Sequence, residues 1–412
     1  MQQHLINMAL PLFNGGEMVL CRDCGNGCTM TQLVNADETV YLDYLMALRD
    51  DGIKVVYGRE AAANRFASLV RDELAVTMYY TVYTRTVRVF VEPKANRYIA
   101  EPLEGEPICQ PQLTMIGRRF CEQSTYLGKD SSMGLTCFVF RLGDGSFLIY
   151  DGGVEVDPFA DGIMDALKSQ APDPEHIVIA GWILSHSHGD HLGGLRKFSR
   201  KYPGSVELRQ IFHNFTNDED ADHADEQGVI AAYPHTTLAL AAEAFPGVKI
   251  TKLHNGDCFM LRDAQIETLF TQEDFYTPQR ARRGCHYWND TSLVVRITLG
   301  GQKIMMLADT HNISNAILCD MYGGYLKSDL VQVAHHGGDG GTCGIYECID
   351  AEFAFFTTSD ELLPVYISRP YNSHMVYDLH LKGYANAQKR TMVFPLPYNC
   401  PEADEPIFVT EV

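Results

Sequence analysis

The sequence predicts an α/β (α+β) protein: two sheets with helices packed outside them, preceded by a small mixed α/β unit. Three observations carry this. From about residue 113 onward, short apolar runs rich in Val, Ile and Phe alternate with helical stretches, the pattern of a layered fold. Several of these runs stop abruptly in histidine, aspartate or glycine, as strands do when they deliver side chains to a site at their carboxyl ends. With 412 residues the chain exceeds one ordinary core, so a boundary is expected between a unit over 1–110 and a larger one over 111–412. Periodicity alone leaves a doubly wound sheet open.

Composition narrows the class. The chain is 46% hydrophobic and 21% charged, without repeat or low-complexity tract, which reads as folded and soluble rather than disordered. No apolar run approaches the roughly 20 residues a membrane helix needs, so no membrane partner is expected. The opening "MQQHLINMALPLFNGGEM" lacks the basic start and apolar core of a secretory signal, and a cytoplasmic location is expected. A net charge of −20, from 53 acidic against 33 basic residues, repels a phosphate backbone and disfavours duplex nucleic acid. The expected partner is a small-molecule or single-stranded anionic substrate. The twelve cysteines lack regular spacing and read as reduced thiols. Cys21, Cys24 and Cys28 in "LCRDCGNGC" form one cluster that could ligate a metal. A structural zinc site wants four ligands, however, and no further cysteine follows before Cys109, so a turn rich in glycine and cysteine is the other reading.

Taken in order, residues 40 to 93 predict a helix around Leu42 to Leu48, a strand at Lys54 to Tyr57 and a helix around Ala61 to Leu69. Two strands follow, "AVTMYYTVY" and "TVRVFVEP", joined tightly near Thr84 and Arg85. The proline-rich, acidic stretch up to "ICQPQ" reads as a linker. "TCFVFRL" and "SFLIYDGG" flank Gly143, Asp144 and Gly145, a hairpin signal because glycine and aspartate accept positive φ. A helix near Pro158 to Gln170, the strand "HIVIAGWILS" and a helix from Gly193 come next. Further strands are expected in "VELRQIFHN", "VKITKL", "SLVVRITLG", "KIMMLAD", "DLVQVAHH" and "EFAFFTT".

The chemistry concentrates in "GWILSHSHGDHLGGL". The strand is apolar on both faces and ends in three histidines and an aspartate within six positions. Alternate side chains of an extended segment point the same way, so His186 and His188 can share one metal, while Asp190 and His191, just beyond, can reach a second. Four such groups together are costly unless cations or hydrogen bonds balance them. Other strand ends supply further candidates. Asp309 in "KIMMLADTHN" offers a carboxylate that can bridge two ions. Of His335 and His336, one ligates and the other faces substrate or supports a ligand; sequence does not choose. His286, Asn289 or Asp290 in "HYWNDTS" sits just before a strand, and Asp151 in "FLIYDGG" is a carboxylate placed to orient a ligand histidine.

The form His-x-His-x-Asp-His over His186 to His191 resembles the metallo-β-lactamase superfamily, and the likeness runs from about residue 113 to 395. "NDTSLVVRITLGGQKIMMLADT", "LKSDLVQVAHHGG" and "SRPYNSHMVYDLHLKG" are similar in order and spacing to the metallo-hydrolase domain of the bacterial competence DNA-uptake channel family. The resemblance implies a four-layer αββα sandwich and two divalent metal ions, commonly zinc, with manganese or iron as other occupants. It matches His186 and His188 to the first metal, Asp190 and His191 to the second, Asp309 to the bridge, and His335 or His336 to the last histidine. Two departures stand out: Asn289 and Asp290 occupy the place of a third first-metal histidine, and Gly338 that of a serine. The working assignment takes Asn289 and His335 as ligands, with Asp190, His336 and His374 as acid–base or substrate-contacting groups. The hydrophobic channel segments of the competence family are missing, and Asp309 is not the cysteine of one large β-lactam-degrading group.

Two divalent ions sharing a water lower its pKa to near 7 and so supply hydroxide to a phosphorus or carbonyl centre. The expected activity is metal-dependent hydrolysis of a phosphodiester-type substrate; an ester, lactone or thioester is the alternative, and a non-catalytic metal-binding scaffold the third. An iron-containing redox protein would want a flavodoxin-like unit after the metal domain, and too few residues follow position 395. The glycine run Gly337 to Gly341 reads either as backbone N–H groups turned to an anion or as a flexible loop.

Overall fold

Alternation of polar and apolar residues builds the first part of the chain into one antiparallel sheet. The computed structural model describes residues 10–117, 135–216, 233–275, 288–386 and 390–410. Within them β1 (Glu17–Gly25), β2 (Cys28–Val34), β3 (Lys54–Ala61), β4 (Asn64–Arg71), β5 (Leu74–Thr81) and β6 (Thr86–Pro93) are ordered β1-β2-β6-β5-β4-β3. Helix α1 (Glu38–Asp50) starts where the Asp37 side chain accepts from the Val40 N–H, and lays Tyr41, Tyr44 and Leu48 on one face of the sheet. The helix expected over Ala61 to Leu69 is instead strand β4. Ala62 and Ala63 adopt φ of 48° and 65° as the two-residue turn of a β3–β4 hairpin. Alanines favour helix locally, but pairing with β3 and β5 on both sides overrides that preference.

The stretch after β6 is not a free tether, since β7 (Glu101–Pro102) pairs with the edge of a later sheet. Next come β8 (Gln112–Met115), β9 (Cys137–Arg141), β10 (Phe147–Asp151), β11 (Val178–Ile183), β12 (Glu207–Leu208), β13 (Gln210–His213) and β14 (Lys249–Lys252). They assemble as β14-β13-β11-β10-β9-β8-β22, where β22 (Met392–Pro395) returns from the far end of the chain and β12 pairs with β11. The facing sheet contains β15 (Cys258–Arg262), β16 (Ala264–Phe270), β17 (Val294–Leu299), β18 (Gln302–Met306), β19 (Leu330–Gln332), β20 (Phe353–Phe356), β21 (Gly383–Asn386) and β23 (Ile407–Val409), in the order β23-β21-β20-β19-β18-β17-β16-β15-β7. Buried side chains of both inner faces, among them Phe140, Tyr150, Ile297, Phe355 and Phe394, form one core. Two face-to-face sheets exclude the doubly wound alternative.

Helices cover the outer faces. On the first sheet lie α2 (Asp157–Gln170), α3 (Gly189–Lys201) and α4 (Tyr233–Ala244), packed through residues such as Phe159, Leu195, Phe198 and Leu238. On the second lie α5 (Asn312–Tyr322), α6 (Cys343–Ile349), α7 (Leu363–Ile367) and α8 (Pro370–Tyr377). The free face of the amino-terminal sheet joins this same outer core, with Met30, Phe66, Tyr79 and Phe90 among Phe270, Val294 and Tyr322. The result is the αββα sandwich, with a third sheet packed against its second helical layer. Among the described residues no helix is long and apolar enough to cross a membrane.

A buried ion network fastens the third sheet. Glu267 of β16 pairs with Arg59 of β3 and with Arg296 of β17 at 2.6 Å, and accepts from the Tyr325 hydroxyl at 2.6 Å. Burial pushes the Glu267 carboxyl up, but the two guanidinium groups outweigh it and hold the group below its ordinary value. A depressed carboxyl contributes stability above its unfolded pKa and loses it as pH falls through the folded one. Glu267→Gln is therefore expected to cost about 3 kcal/mol at neutral pH and to flatten the acid limb of stability below pH ~4. Denaturant unfolding against pH checks this; an unchanged acid limb in the variant would remove the network from the account.

Candidate metal centre

Strand β11 ends at Ile183, and the backbone then carries Ser185, His186 and His188 along the rim before α3 takes Asp190 and His191 into its first turn. The helix starts at Gly189 rather than at Gly193, so Asp190 and His191 are presented by a rigid turn. Gly193 and Gly194 lie against the backbone of Gly152 to Glu155, and a Cβ on Gly194 would collide with the Gly152 carbonyl oxygen. That close approach brings α3 beside Asp151, the last residue of β10.

Asp151 is fully buried and multiply held. Its carboxylate accepts from Ser185 N at 2.8 Å, Ser185 Oγ at 2.7 Å and His191 Nδ1 at 2.7 Å. A carboxylate only accepts, so His191 carries its proton on Nδ1 and turns Nε2 inward. There His191 Nε2 lies 3.1 Å from Asp309 Oδ2, which is also 3.3 Å from His336 Nε2 and 3.8 Å from His186 Nε2. His336 Nε2 is in turn 3.2 Å from Asp190 Oδ2, while His186 Nε2 is 3.0 Å from His188 Nδ1. Three strand ends thus converge on one carboxylate oxygen.

The donors fit divalent cations. His191 Nε2, His336 Nε2, Asp309 Oδ1 and Asn289 Oδ1 are buried without a well-formed hydrogen bond. Two compact groups, His186 with His191 and Asp309, and Asp190 with His191 and His336, each bring three ligand atoms within 4.8 Å of one another. Buried imidazole and carboxylate without partners are costly unless a cation draws on their lone pairs. Electrostatics agrees. Burial is the largest influence on His191 and His336 and opposes their charge, but the neighbouring carboxylates together outweigh it: Asp309, Asp151 and Asp190 on His191, and Asp309 with Asp190 on His336. His191 is raised well above the ordinary histidine range and His336 to about 9. Burial would raise Asp309, but His191 and His336 hold it well below the usual carboxylate range. Burial, with His191 and His188 beside it, drives His186 well below its ordinary value, leaving a neutral lone-pair donor.

The two histidines after β19 separate in space. His335 and His336 adopt left-handed φ of 47° and 59°, a strained pair whose ring centroids stay 5.7 Å apart, and His335 Nε2 lies 3.9 Å from Asp309 Oδ2. His336 Nε2 reaches both Asp190 and Asp309, whereas His335 reaches Asp309 alone of the two, and Thr357 Oγ1 lies 2.7 Å from the His336 Nδ1. His335 turns to the half-exposed rim, where its Nδ1 is 2.6 Å from Asp339 and 3.0 Å from His311 Nε2. Asn289 Nδ2 lies 3.3 Å from His335 Nε2, whereas Asp290 is committed to Ser314 N and Oγ at the start of α5. His286 lies outside the described residues. His374 stands apart, its ring nitrogens each 3.0 Å from Glu347 and Asp378 on the outer helices. The glycine loop is pinned rather than free: the carbonyls of Gly337, Gly338 and Gly340 accept from Asn372, Tyr371 and Asn315.

Sequence reasoning passed over three positioning groups. His311 was visible in "ADTHN" but offered no spacing to mark it. Thr357 and Gln332 gave no signal, although the Gln332 amide clamps Ala308, donating to its carbonyl at 3.1 Å and accepting from its N–H at 2.6 Å. Gly194→Ala is expected to lower unfolding free energy by about 2 kcal/mol or more, because helix and loop cannot both keep their places. Urea unfolding at unchanged slope tests this; a stability equal to wild type would mean that the close approach does not hold the centre.

Residues 134–272 match the family model described as "Metallo-beta-lactamase superfamily". A curated relative, an atrochrysone carboxyl ACP thioesterase of Passalora fulva, is 38% identical over 76 residues, 18% of this chain, and the match spans only 21% of that relative's length. Among solved structures, the metallo-beta-lactamase fold protein YhfI from Bacillus subtilis shares 14% identity over 69% of this chain and 99% of its own, at a TM-score of 0.40. CmlA, a diiron beta-hydroxylase from Streptomyces venezuelae, shares 12% over 87% of this chain and 78% of its own, at 0.39. The family match covers the segment with the His186 to His191 cluster, and with the two facing sheets it gives this chain the metallo-β-lactamase fold.

Proposed function

We propose that the chain is a metal-dependent hydrolase acting on a phosphodiester-type substrate. The observation that carries the hydrolase reading is the convergence of His186, His191 and His336 on Asp309, with His191 Nε2, His336 Nε2 and Asp309 Oδ1 buried without a well-formed hydrogen bond. His186, His188 and the Asn289 side-chain oxygen would hold one divalent cation, Asp190, His191 and His336 a second, and Asp309 would serve both. Bound cations of this kind lower the pKa of a water to near 7 and neutralise charge developing on oxygen.

The remaining work falls to the chain's own residues. Asp151 fixes the tautomer of His191, which presents its Nε2 lone pair inward, and Thr357 Oγ1 holds the His336 ring through its Nδ1. Asp190 can accept a proton from the attacking water. His335, held by Asp339 at the accessible edge, is the group placed to give a proton to the leaving oxygen. The acidic surface keeps long polyanions away and favours a small or single-stranded substrate. The phosphodiester choice leans on the likeness to the competence-type metallo-hydrolase domain. A thioester substrate is the second reading, favoured by the similarity to the Passalora fulva thioesterase.

Elemental analysis should find two more metal equivalents in the wild-type chain than in His186→Ala/His191→Ala. Equal contents in the two would end the dinuclear reading. Asp151→Asn should weaken metal affinity about 10- to 100-fold while leaving the fold intact, as read by competition with a chelator. The substrate choice is settled by assaying an activated phosphodiester, a phosphomonoester, a lactone and an acyl thioester against metal-stripped controls. Metal-dependent turnover of the thioester alone would replace the phosphodiester.

A further inference from the structure

A second group of metal-type ligands lies outside this centre, at the seam between the amino-terminal sheet and the sandwich. Cys24 and Cys28 flank the turn of the β1–β2 hairpin, Glu92 stands near the end of β6, and His254 follows β14. All four side chains are buried, with Cys28 and Glu92 each 1% exposed and His254 not at all. His254 Nε2 is 3.4 Å from Glu92 Oε1 and 3.8 Å from Cys28 Sγ, and the thiols of Cys24 and Cys28 contact one another.

These separations match a known coordination geometry. A tetrahedral zinc ion with ordinary bond lengths sets its nitrogen and oxygen donors about 3.4 Å apart and its nitrogen and sulfur donors about 3.6 Å apart. The far side of the imidazole is prepared as well. Its Nδ1 lies 3.3 Å from Glu273 Oε1, and both atoms are buried without a well-formed hydrogen bond. A carboxylate behind Nδ1 fixes the tautomer that leaves Nε2 free to ligate, the same device as Asp151 behind His191. The ring is held by stacking on Phe90 with centroids 4.1 Å apart, and by the Asp257 carboxylate accepting from the His254 backbone N–H at 2.8 Å. Arg97 braces Glu92 at 3.0 Å, so the carboxylate has little freedom to turn away.

We propose that Cys28, Glu92 and His254, with Cys24 as the adjacent fourth donor, form a structural site for a thiolate-accepting divalent cation, zinc by chemical class, that clips the amino-terminal sheet to the sandwich. The charge balances. A divalent ion that displaces the thiol protons of Cys24 and Cys28, with His254 ligating as a neutral imidazole through Nε2, leaves the buried net charge unchanged. Three ligand-bearing strands, β1, β2 and β6, belong to one sheet and His254 to the sandwich, so the site spans the seam. It is independent of the Asp309 centre, whose donor groups contain no cysteine.

Cobalt(II) distinguishes the two sites, because only a thiolate ligand gives a sulfur-to-cobalt charge-transfer band in the near ultraviolet. The stripped and cobalt-reloaded wild-type chain is expected to show this band. Asp309→Asn and the double variant Cys319→Ser/Cys348→Ser should keep it, and Cys28→Ser should lose it together with one metal equivalent. A wild-type chain without the band, a Cys28→Ser chain that retains it, or its loss on removing Cys319 and Cys348 overturns the proposal. Should Cys28→Ser fail to fold, X-ray absorption at the zinc edge of the wild-type chain decides. A sulfur shell near 2.3 Å is expected, and a shell of nitrogen and oxygen alone refutes the site.

Discussion

A carboxylate buried as deeply as Asp309 is tolerated only where positive charge or hydrogen bonds meet it, and most of the surrounding rim is arranged to meet that one demand. Isolated, such a charge would cost far more than the few kcal/mol by which a domain is stable. Three imidazoles from two chain segments, His186 and His191 from one and His336 from the other, approach the same oxygen. The groups behind them serve the same end: Asp151 turns His191, Thr357 turns His336, and Gln332 grips the backbone of Ala308 just before the carboxylate. Each is itself tied to a strand of the sandwich, so the precision of the centre is inherited from the sheets.

Holding that geometry entails local strain. Asp151, Ala308, His335 and His336 all sit at positive φ without being glycine. Such conformations cost of order 1–3 kcal/mol each and persist where surrounding packing over-determines them. Here the surroundings are the inter-sheet core and the pinned loop of Gly337 to Gly340, whose carbonyls are held by side chains of α5 and α8. The consequence for function is a division of labour between neighbours: the strained turn buries His336 with the carboxylates and leaves His335 at the rim.

Much was legible in the sequence where the signal was local. The apolar strand running into His186, His188, Asp190 and His191 announced the centre. The hairpin at Gly143 to Gly145 and the helix over 157–170 followed from turn chemistry and periodicity. Legibility failed where partners distant in sequence decided the outcome. The alanines at 61–63 read as helix until two neighbouring strands claimed the segment. Cys21, Cys24 and Cys28 read as one ligand short of a metal site, since nothing in their vicinity pointed to Glu92 or to His254, 226 positions beyond Cys28.

By itself the sequence determined which segments gather histidine and carboxylate at strand ends, because spacing of two along a strand and turn residues at its end are local facts. Only the tertiary structure decided that His336 rather than His335 reaches both Asp190 and Asp309, and that Asp290 is spent on capping a helix while Asn289 contacts His335. It also decided that His374 is tied up by Glu347 and Asp378. Those choices depend on where a backbone turn points a ring and on what is packed behind it, and both are set by strands that meet only when the sheets close.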